Sequence, residues 1–575
     1  MADLQVDGIT NFDGGMDASR PAWSVARNQY VMGNNVWCPP TVNGAMTRPG
    51  WEEQIISWRT KADEKAFHGG NFQGSTTYDS GVGRMVIASV DGYIYQFEQT
   101  AARSWKAKRL NLADRNSPIR KHAFFCEVPG NKLIIQNGFD APAYVDRTGF
   151  HRLDPAPDKL GVGRAMVYVQ NRLFWVDEFE AIVYASDYLD PFGMTEAGFT
   201  QIFGFAPGGV ERVIALGAQK QLNRDILGGS LLIGTDKNIY SVDVGGDRQE
   251  WGLTERGSVF LSLAGQGVVS DKAFATLNTN TFYRSRQTVI DFRQQQFQFA
   301  ERESVGGLSS PVDTVLATDS DFMLDRCQIV RFKERLLVTT APYLRRGNPA
   351  WRGLLVLAPY PSYEGEEGKP KRWESLWWGV RPLSIFSNVD DEVFVFHDGA
   401  DEKVHFFRLR EDINCDRLAE QSVPICSSIR TRQFGFPDGE LNLMVARKTV
   451  EQVAAFDNIR EATEICVRSR DTFGGAWSQL YETNFSLPPC RSLCLNEYLP
   501  LDTSVRRVNL PIPDTCAQAT FVRQYEVFWR GFASFHSLLW AYTPLAAPRD
   551  MDCGEATELE TVPCPADPPW MNTIV

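Results

Sequence analysis

The stretch RMVIASVDGYIYQFE, from Arg84 to Glu98, decides the fold. An apolar run leads into Asp91-Gly92, and an alternating apolar run follows. An Asp-Gly pair between such runs is among the strongest hairpin signals a sequence carries. The phrase returns in degraded form as NKLIIQNGFDAPAYVD from Asn131, NRLFWVDEFEAIVYASD from Asn171 and GSLLIGTDKNIYSVD from Gly229. It continues as AFATLNTNTFYRS from Ala273, a long copy from Glu334, and DEVFVFHDGADEKVHFFRLR from Asp391. Successive starts lie 47, 40, 58, 44, 61 and 57 residues apart. A propeller blade takes about 40–50 residues, with insertions lengthening single copies. The expected fold is therefore all-β: a β-propeller-like ring of sheets, followed by a β-sandwich-like domain.

Composition agrees with a β-rich chain. Of 575 residues, 12% are aromatic, including 36 Phe and 15 Trp, and these suit strands and sheet-packed cores. The 46 Gly and 31 Pro punctuate turns. After residue 411 the apolar runs are spaced differently, with a turn at Pro437-Asp438-Gly439 and a long aromatic strand ending near residue 548. Four segments result. Residues 1–64 lace onto the propeller, 65–411 form it, 412–548 form the sandwich-like domain, and 549–575 are an exposed acidic, Pro-containing arm.

The net charge is −12, which disfavours a protein gripping nucleic acid by its phosphates. An acidic surface instead lets DNA slide past. One basic run stands out, with Lys106, Lys108, Arg109, Arg115, Arg120 and Lys121 as a possible contact patch; such runs are usually solvated faces. The opening MADLQVDGIT lacks the basic start and apolar core of a signal peptide, and no run of about 18 apolar residues is present. The 11 cysteines are unevenly placed, and Cys490 and Cys494 have no second pair at metal-site spacing. Free buried thiols in a reducing cytoplasm are expected.

No constellation reads as an active site. Catalytic carboxylates are sought in the acidic clusters 176–180 and 389–402, but both fall at turns where charge is solvated. His397 and His405 flank a hairpin and read as a polar surface rather than metal ligands. In GEEGKP, at 365–370, a Pro follows Gly-Lys and spoils a phosphate loop. The expectation is a non-enzyme with no catalytic residue, metal or cofactor.

The N-terminal segment NFDGGMDASRP poses its own question: a ligand-cradling loop or a bend. Arg20-Pro21 blocks a helix start after Gly14-Gly15, which favours the bend. The segment from Phe12 to Glu53 resembles the opening of a family of tailed-bacteriophage virion proteins, the tail nozzle or tail tubular proteins of short-tailed phages. The matching residues are Phe12, Gly14, Gly15, Arg20, Pro21, Asn28, Gln29, Asn35, Val36, Gly44, Arg48, Pro49 and Gly50. Residues 427–451 resemble the strand that follows the propeller in such proteins. Tyr30 and the Cys38-Pro39-Pro40 insertion depart from the pattern.

The resemblance implies a structural component of the virion, synthesised in the bacterial cytoplasm. Six copies would form a ring below the portal and adaptor, around the DNA exit channel, contributing to DNA retention and ejection. Its partners would be further copies of itself, portal or adaptor, tail fibre or spike proteins, and DNA passing without sequence-specific contact. A neck or baseplate protein of a long-tailed phage shares these features. A propeller glycan hydrolase or lyase would instead need an axial pocket with carboxylates such as Asp177 or Asp391 and exposed Trp175, Trp351, Trp377 or Trp378. A monomeric receptor-binding propeller is the remaining class.

Overall fold

Asp91 and Gly92 both take positive φ, 50° and 78°, as a two-residue hairpin turn of the primed kind requires. The turn joins Arg84–Val90 to Tyr93–Ala101, paired antiparallel from Val90↔Tyr93 outward. This is the computed structural model of the chain. It describes residues 4–544 except 40–43, 82, 119–121, 196–200, 204–210, 219–230, 243, 245–258, 262–265, 278–279, 293–308, 322, 346–347, 359–371, 420, 436–446, 458, 460–462, 472–475, 486–505, 513–518 and 521. The 437–439 turn, the 365–370 loop, Cys490 and Cys494, and the 549–575 arm lie outside the described residues.

The protein is all-β, and each of the seven phrases forms an antiparallel hairpin in a sheet of its own. Sheet I orders Phe72–Asp79, Arg84–Val90, Tyr93–Ala101 and Ser104–Arg109. Sheet II runs from Phe124–Val128 to Phe150–Arg152, sheet III from Gly163–Val169 to Gln201–Phe203, and sheet IV from Val213–Ala218 to Val259–Leu261. Sheet V has three strands, Phe274–Leu277, Asn280–Arg284 and Val289–Asp291. Here the phrase occupies the first hairpin, whereas in the others it forms the second. Sheet VI begins Ile329–Phe332, Arg335–Arg345, Asn348–Ala358, Arg372–Trp377, and sheet VII begins Pro382–Ser387, Val393–Asp398, Val404–Arg410.

The first strands of these sheets touch in series. Phe72–Asp79 meets Phe124–Val128, which meets Gly163–Val169, which meets Val213–Ala218. Phe274–Leu277 meets Ile329–Phe332, which meets Pro382–Ser387, which returns to Phe72–Asp79. Sheets IV and V share a core through Ala215, Leu232, Ile239, Val268 and Tyr283. Sheets VII and I share an aromatic one, in which Phe396 and Phe406 stack 4.8 Å apart beside Phe97 and Phe67. Phe67 belongs to the helix α1, Lys61–Gly69, whose Thr60 accepts a capping bond from the Asp63 N–H. Burying each such ring contributes about 2 kcal/mol or more.

The N-terminal segment threads between these sheets. Gly50–Glu53 forms the fourth strand of sheet VII, antiparallel to Val404–Arg410. After the single residue Gln54, Ile55–Trp58 lies parallel to Ser104–Arg109 on the outer edge of sheet I. One short segment thus binds sheet VII to sheet I. Upstream, Gln29–Asn34 sits between Arg372–Trp377 of sheet VI and Cys426–Phe434, extending sheet VI into Arg523–Arg530, Thr463–Arg470 and Ser478–Phe485. A further seven-stranded sheet, built on Ser534–Pro544 and Arg447–Asp457, recruits Gln5–Ile9 and Ala45–Thr47. The two share a core of Phe12, Tyr30, Phe456, Trp529, Phe535 and Trp540.

Candidate functional site

The loops that begin the first strands of sheets II to V surround a cavity of about 860 Å³. Its wall is polar, because strand-joining turns carry Asp, Glu and Arg where backbone needs capping. Arg164 contacts Glu180, and Arg212 approaches Glu180 at 3.6 Å and Asp236 at 3.7 Å. Arg286 pairs with Asp321 at 3.2 Å, and His122 with Asp325 at 3.3 Å. Cations and carboxylates alternate around the wall and pair with one another, so the opening concentrates neither sign of charge. Phe139 and Phe179, 54% and 77% exposed, stand on turns of sheets II and III.

A separate space of about 20 Å³ lies nearby, beside Gln73, Gly74, Lys272 and Arg326. That is room for one water. Lys272 donates to the Ser75 carbonyl at 3.0 Å, and Arg326 to the Phe72 carbonyl at 3.0 Å. Burial holds the Lys272 amine below its usual range, with Arg326 adding to the effect and Asp271 opposing it. Two long cations thus tie the segments before sheets V and VI to the first strand of sheet I.

The second site is the junction made by the N-terminal segment. Arg48 is fully buried. Its guanidinium donates to Asp416 at 2.7 and 2.9 Å, to Asn35 Oδ1 at 3.0 Å, and to the Pro49 and Trp378 carbonyls at 2.8 Å each. Asn35 takes φ 52°, donates to the Cys426 carbonyl at 2.8 Å and accepts from Trp378 N–H at 2.7 Å. Asp416 also accepts from Trp51 N–H at 2.9 Å. The network ties the N-terminal segment to sheets VI and VII and to the strand Cys426–Phe434.

Other residues of the N-terminal pattern serve close approach. A Cβ on Gly15 would lie 2.4 Å from the Trp373 carbonyl, on Gly44 2.8 Å from that of Phe535, and on Gly50 2.1 Å from that of Cys415. Gly15 also needs φ 70°. Gly14 donates to the Asn28 carbonyl at 3.1 Å, and Gln29 returns a bond to the Gly14 carbonyl at 3.2 Å. Phe12 packs edge-on against Tyr30 and Phe535. Val36 accepts from Ser375 and Trp377. Arg20 pairs with Asp17 at 3.3 Å, and Pro21 accepts from Ser24 in a turn. The double glycine is a bend packed against sheet VI.

The basic run does not form one patch. Arg109 pairs with Asp63 at 3.0 Å and lies 4.5 Å from the centre of the Tyr93 ring, as does Arg115. Lys106 is exposed and Lys108 half-buried, both on the outer strand of sheet I. Arg120 and Lys121 lie outside the described residues. Trp175, Trp351 and Trp377 are buried core rings, and Trp378 donates to Asn34 at 3.0 Å. Asp177 accepts from Ala181 and Ile182 within its own turn, and Asp391 pairs with Arg331 at 2.9 Å. His405 is held between Glu53 at 2.6 Å and Asp401 at 3.0 Å. Among the described residues no group of three or more His, Cys, Asp or Glu could hold a metal ion. The cavity residue Glu180 was legible only as part of an acidic turn; nothing in its neighbours marks it as facing four sheets.

No family model matches this chain, and no curated protein matches it. Among solved structures, PorZ, a surface component of the type-IX secretion system of Porphyromonas gingivalis, is similar at 11% identity and TM-score 0.34. The match covers 70% of this chain and 44% of PorZ, so the chain spans under half of that protein's length. The extracellular domain of a hybrid two-component system from B. thetaiotaomicron is similar at 10% identity and TM-score 0.37, covering 79% and 58%. The computationally designed Ika8 protein is similar at 10% identity and TM-score 0.33, covering 62% and 100%.

Proposed function

We propose that the chain is a structural virion component of a bacteriophage tail, a nozzle or tail-tube subunit that surrounds the DNA exit channel. In this reading sheets I to VII are the blades of a seven-bladed β-propeller, and the two sheets sharing the Phe456–Trp529 core form a β-sandwich. One observation carries it. The residues that resemble the phage family, Asn35, Arg48 and Gly50, are the ones built into the junction between the ring and the sheets beyond it. A rigid joint of that kind suits a subunit that transmits load between a ring and its neighbours. The acidic balance, −12, suits a wall past which DNA moves without sticking. In this reading the DNA passage lies between copies, around the symmetry axis of a ring of six.

Negative-stain imaging and native mass on one purified sample test this. Closed rings or short tubes with a hole wide enough for duplex DNA are expected. A homogeneous 64.7 kDa monomer, unchanged by addition of the portal complex, overturns it. That result favours a receptor-binding module, whose site would be the 860 Å³ cavity.

A further inference from the structure

The cavity among sheets II to V is distinguished by which of its polar groups stay unsatisfied. Among the described residues, each carboxylate on its wall has a cation beside it. Arg164 and Arg212 meet Glu180, Arg212 meets Asp236, Arg286 meets Asp321 and His122 meets Asp325. Asp271 favours the charged forms of the neighbouring Lys272 and Arg326. What remains open is neutral. Three carboxamides, Asn238, Gln266 and Gln287, line the same wall. The Asn238 amide nitrogen donates to Glu211 at 2.6 Å. A carboxylate only accepts, so this bond fixes the amide and leaves the Asn238 carbonyl oxygen without a donor among the described residues. The Gln266 carbonyl oxygen accepts from the Ser285 hydroxyl at 3.0 Å, and its amide nitrogen donates to no described residue. Gln287 is exposed on the next turn, and its side chain has no hydrogen-bond partner among the described residues. Two phenyl rings stand beside these groups. Phe179, 77% exposed, directly precedes Glu180. Phe139, 54% exposed, follows Gly138, on which a Cβ would lie 2.8 Å from Arg164 Cγ.

We propose that this cavity binds a short neutral oligosaccharide, whether the chain works in a ring or alone. A sugar hydroxyl both donates and accepts, which suits an open amide nitrogen and an open carbonyl oxygen on one wall. An ionic ligand would enter without a counter-charge, because the charges of the wall are already taken up by one another. A pyranose ring carries C–H groups on its face and hydroxyls at its edge. It therefore packs on an exposed phenyl ring such as Phe179 while its edge reaches the carboxamides. The cavity volume of about 860 Å³ lies within the roughly 300–1,000 Å³ that holds a small-molecule ligand.

Binding of the fluorescently labelled full-length protein to a printed array of neutral and acidic glycans tests the proposal. Retention on at least one neutral oligosaccharide is expected, with equal strength in about 0.05 and about 0.5 M sodium chloride, because salt screens only charged contacts. The F179A/Q287A variant changes two exposed side chains and is expected to bind that glycan about tenfold more weakly or worse. Val389→Ala alters an 83% exposed side chain on a turn of sheet VII, outside the cavity, and is expected to bind as the parent. Retention on no glycan or on acidic glycans alone overturns the proposal. So does binding lost in the higher salt, or binding by F179A/Q287A as strong as that of the parent. Native mass of the same sample reads ring assembly separately, so failure of the ring and failure of the site are distinct results.

Discussion

Arg48 and Asp416, 368 residues apart, form a two-point ion pair at 2.7 and 2.9 Å inside the junction between the N-terminal segment and the rest of the protein. Both partners are almost wholly removed from water, Arg48 at 0% exposure and Asp416 at 6%. Such a pair contributes little net stability relative to an apolar replacement of both partners, but breaking it leaves an uncompensated charge. Arg48→Met is therefore expected to destabilise the protein by about 3–5 kcal/mol. Thermal unfolding checks it, and an unchanged melting temperature would contradict the junction's role. Arg48→Lys restores only one of the two bonds to Asp416 and falls between the two.

Gly15 sits at φ 70° with a carbonyl 2.4 Å from the place a Cβ would occupy. Gly15→Val must move the strand Arg372–Trp377, and with it the Gln29–Asn34 contact. Lost solubility or a much lower melting temperature is expected. Gly83, whose Cβ would meet nothing within 4 Å, serves as the control, and Gly83→Ala is expected to behave as the parent. Equal behaviour of both variants would remove the close-approach account.

His405 clamps the strand Gly50–Glu53 to sheet VII through Glu53, with Asp401 on its other nitrogen. Burial disfavours its charged form, but the bonds to Glu53 and Asp401 outweigh that and its pKa is raised. A raised pKa means that the folded state holds the proton more tightly than the unfolded chain. The added stability is then complete below about pH 6.5, the unfolded value, and is lost as pH rises through the folded pKa. His405→Gln removes this contribution. Melting temperatures from pH 5 to 9 are expected to converge for parent and variant at the alkaline end, with the parent ahead at the acidic end.

Burial pushes the thiols of Cys38 and Cys126 up to about 12 and that of Cys327 to about 11. Only the thiolate reacts with iodoacetamide, and at pH 8 it is about one part in a thousand or less. All three are expected to stay unmodified in the native protein and to react fully in denaturant, as mass spectrometry of the digested protein will show. Rapid native labelling of Cys38 would mean that the N-terminal segment leaves its groove.

Hairpins were legible in the sequence because their information is local. Asp91-Gly92 dictates a primed turn, and the alternating residues after it dictate which face is buried. The bend at Gly14-Gly15 was legible for a similar reason. What could not be read locally was partnership. The basic run from Lys106 to Lys121 looked continuous, yet Arg109 turns to Asp63 and Arg115 to Tyr93, because the strand ends at Arg109 and the chain changes direction. Glu180 read as one more solvated turn residue, and the packing of sheet III against sheet IV carries it to the cavity beside Arg164 and Arg212.

The sequence by itself determined an all-β protein, its seven strand-turn-strand units and the bend at Gly14-Gly15. These follow from turn stereochemistry and two-residue periodicity, which act within ten residues. Only the tertiary structure decided that Gly50–Glu53 completes sheet VII, that Arg48 finds Asp416, and that Asn238 and Gln266 line one cavity. Pairing between strands hundreds of residues apart depends on which edges the folded sheets leave open, and no local pattern encodes that.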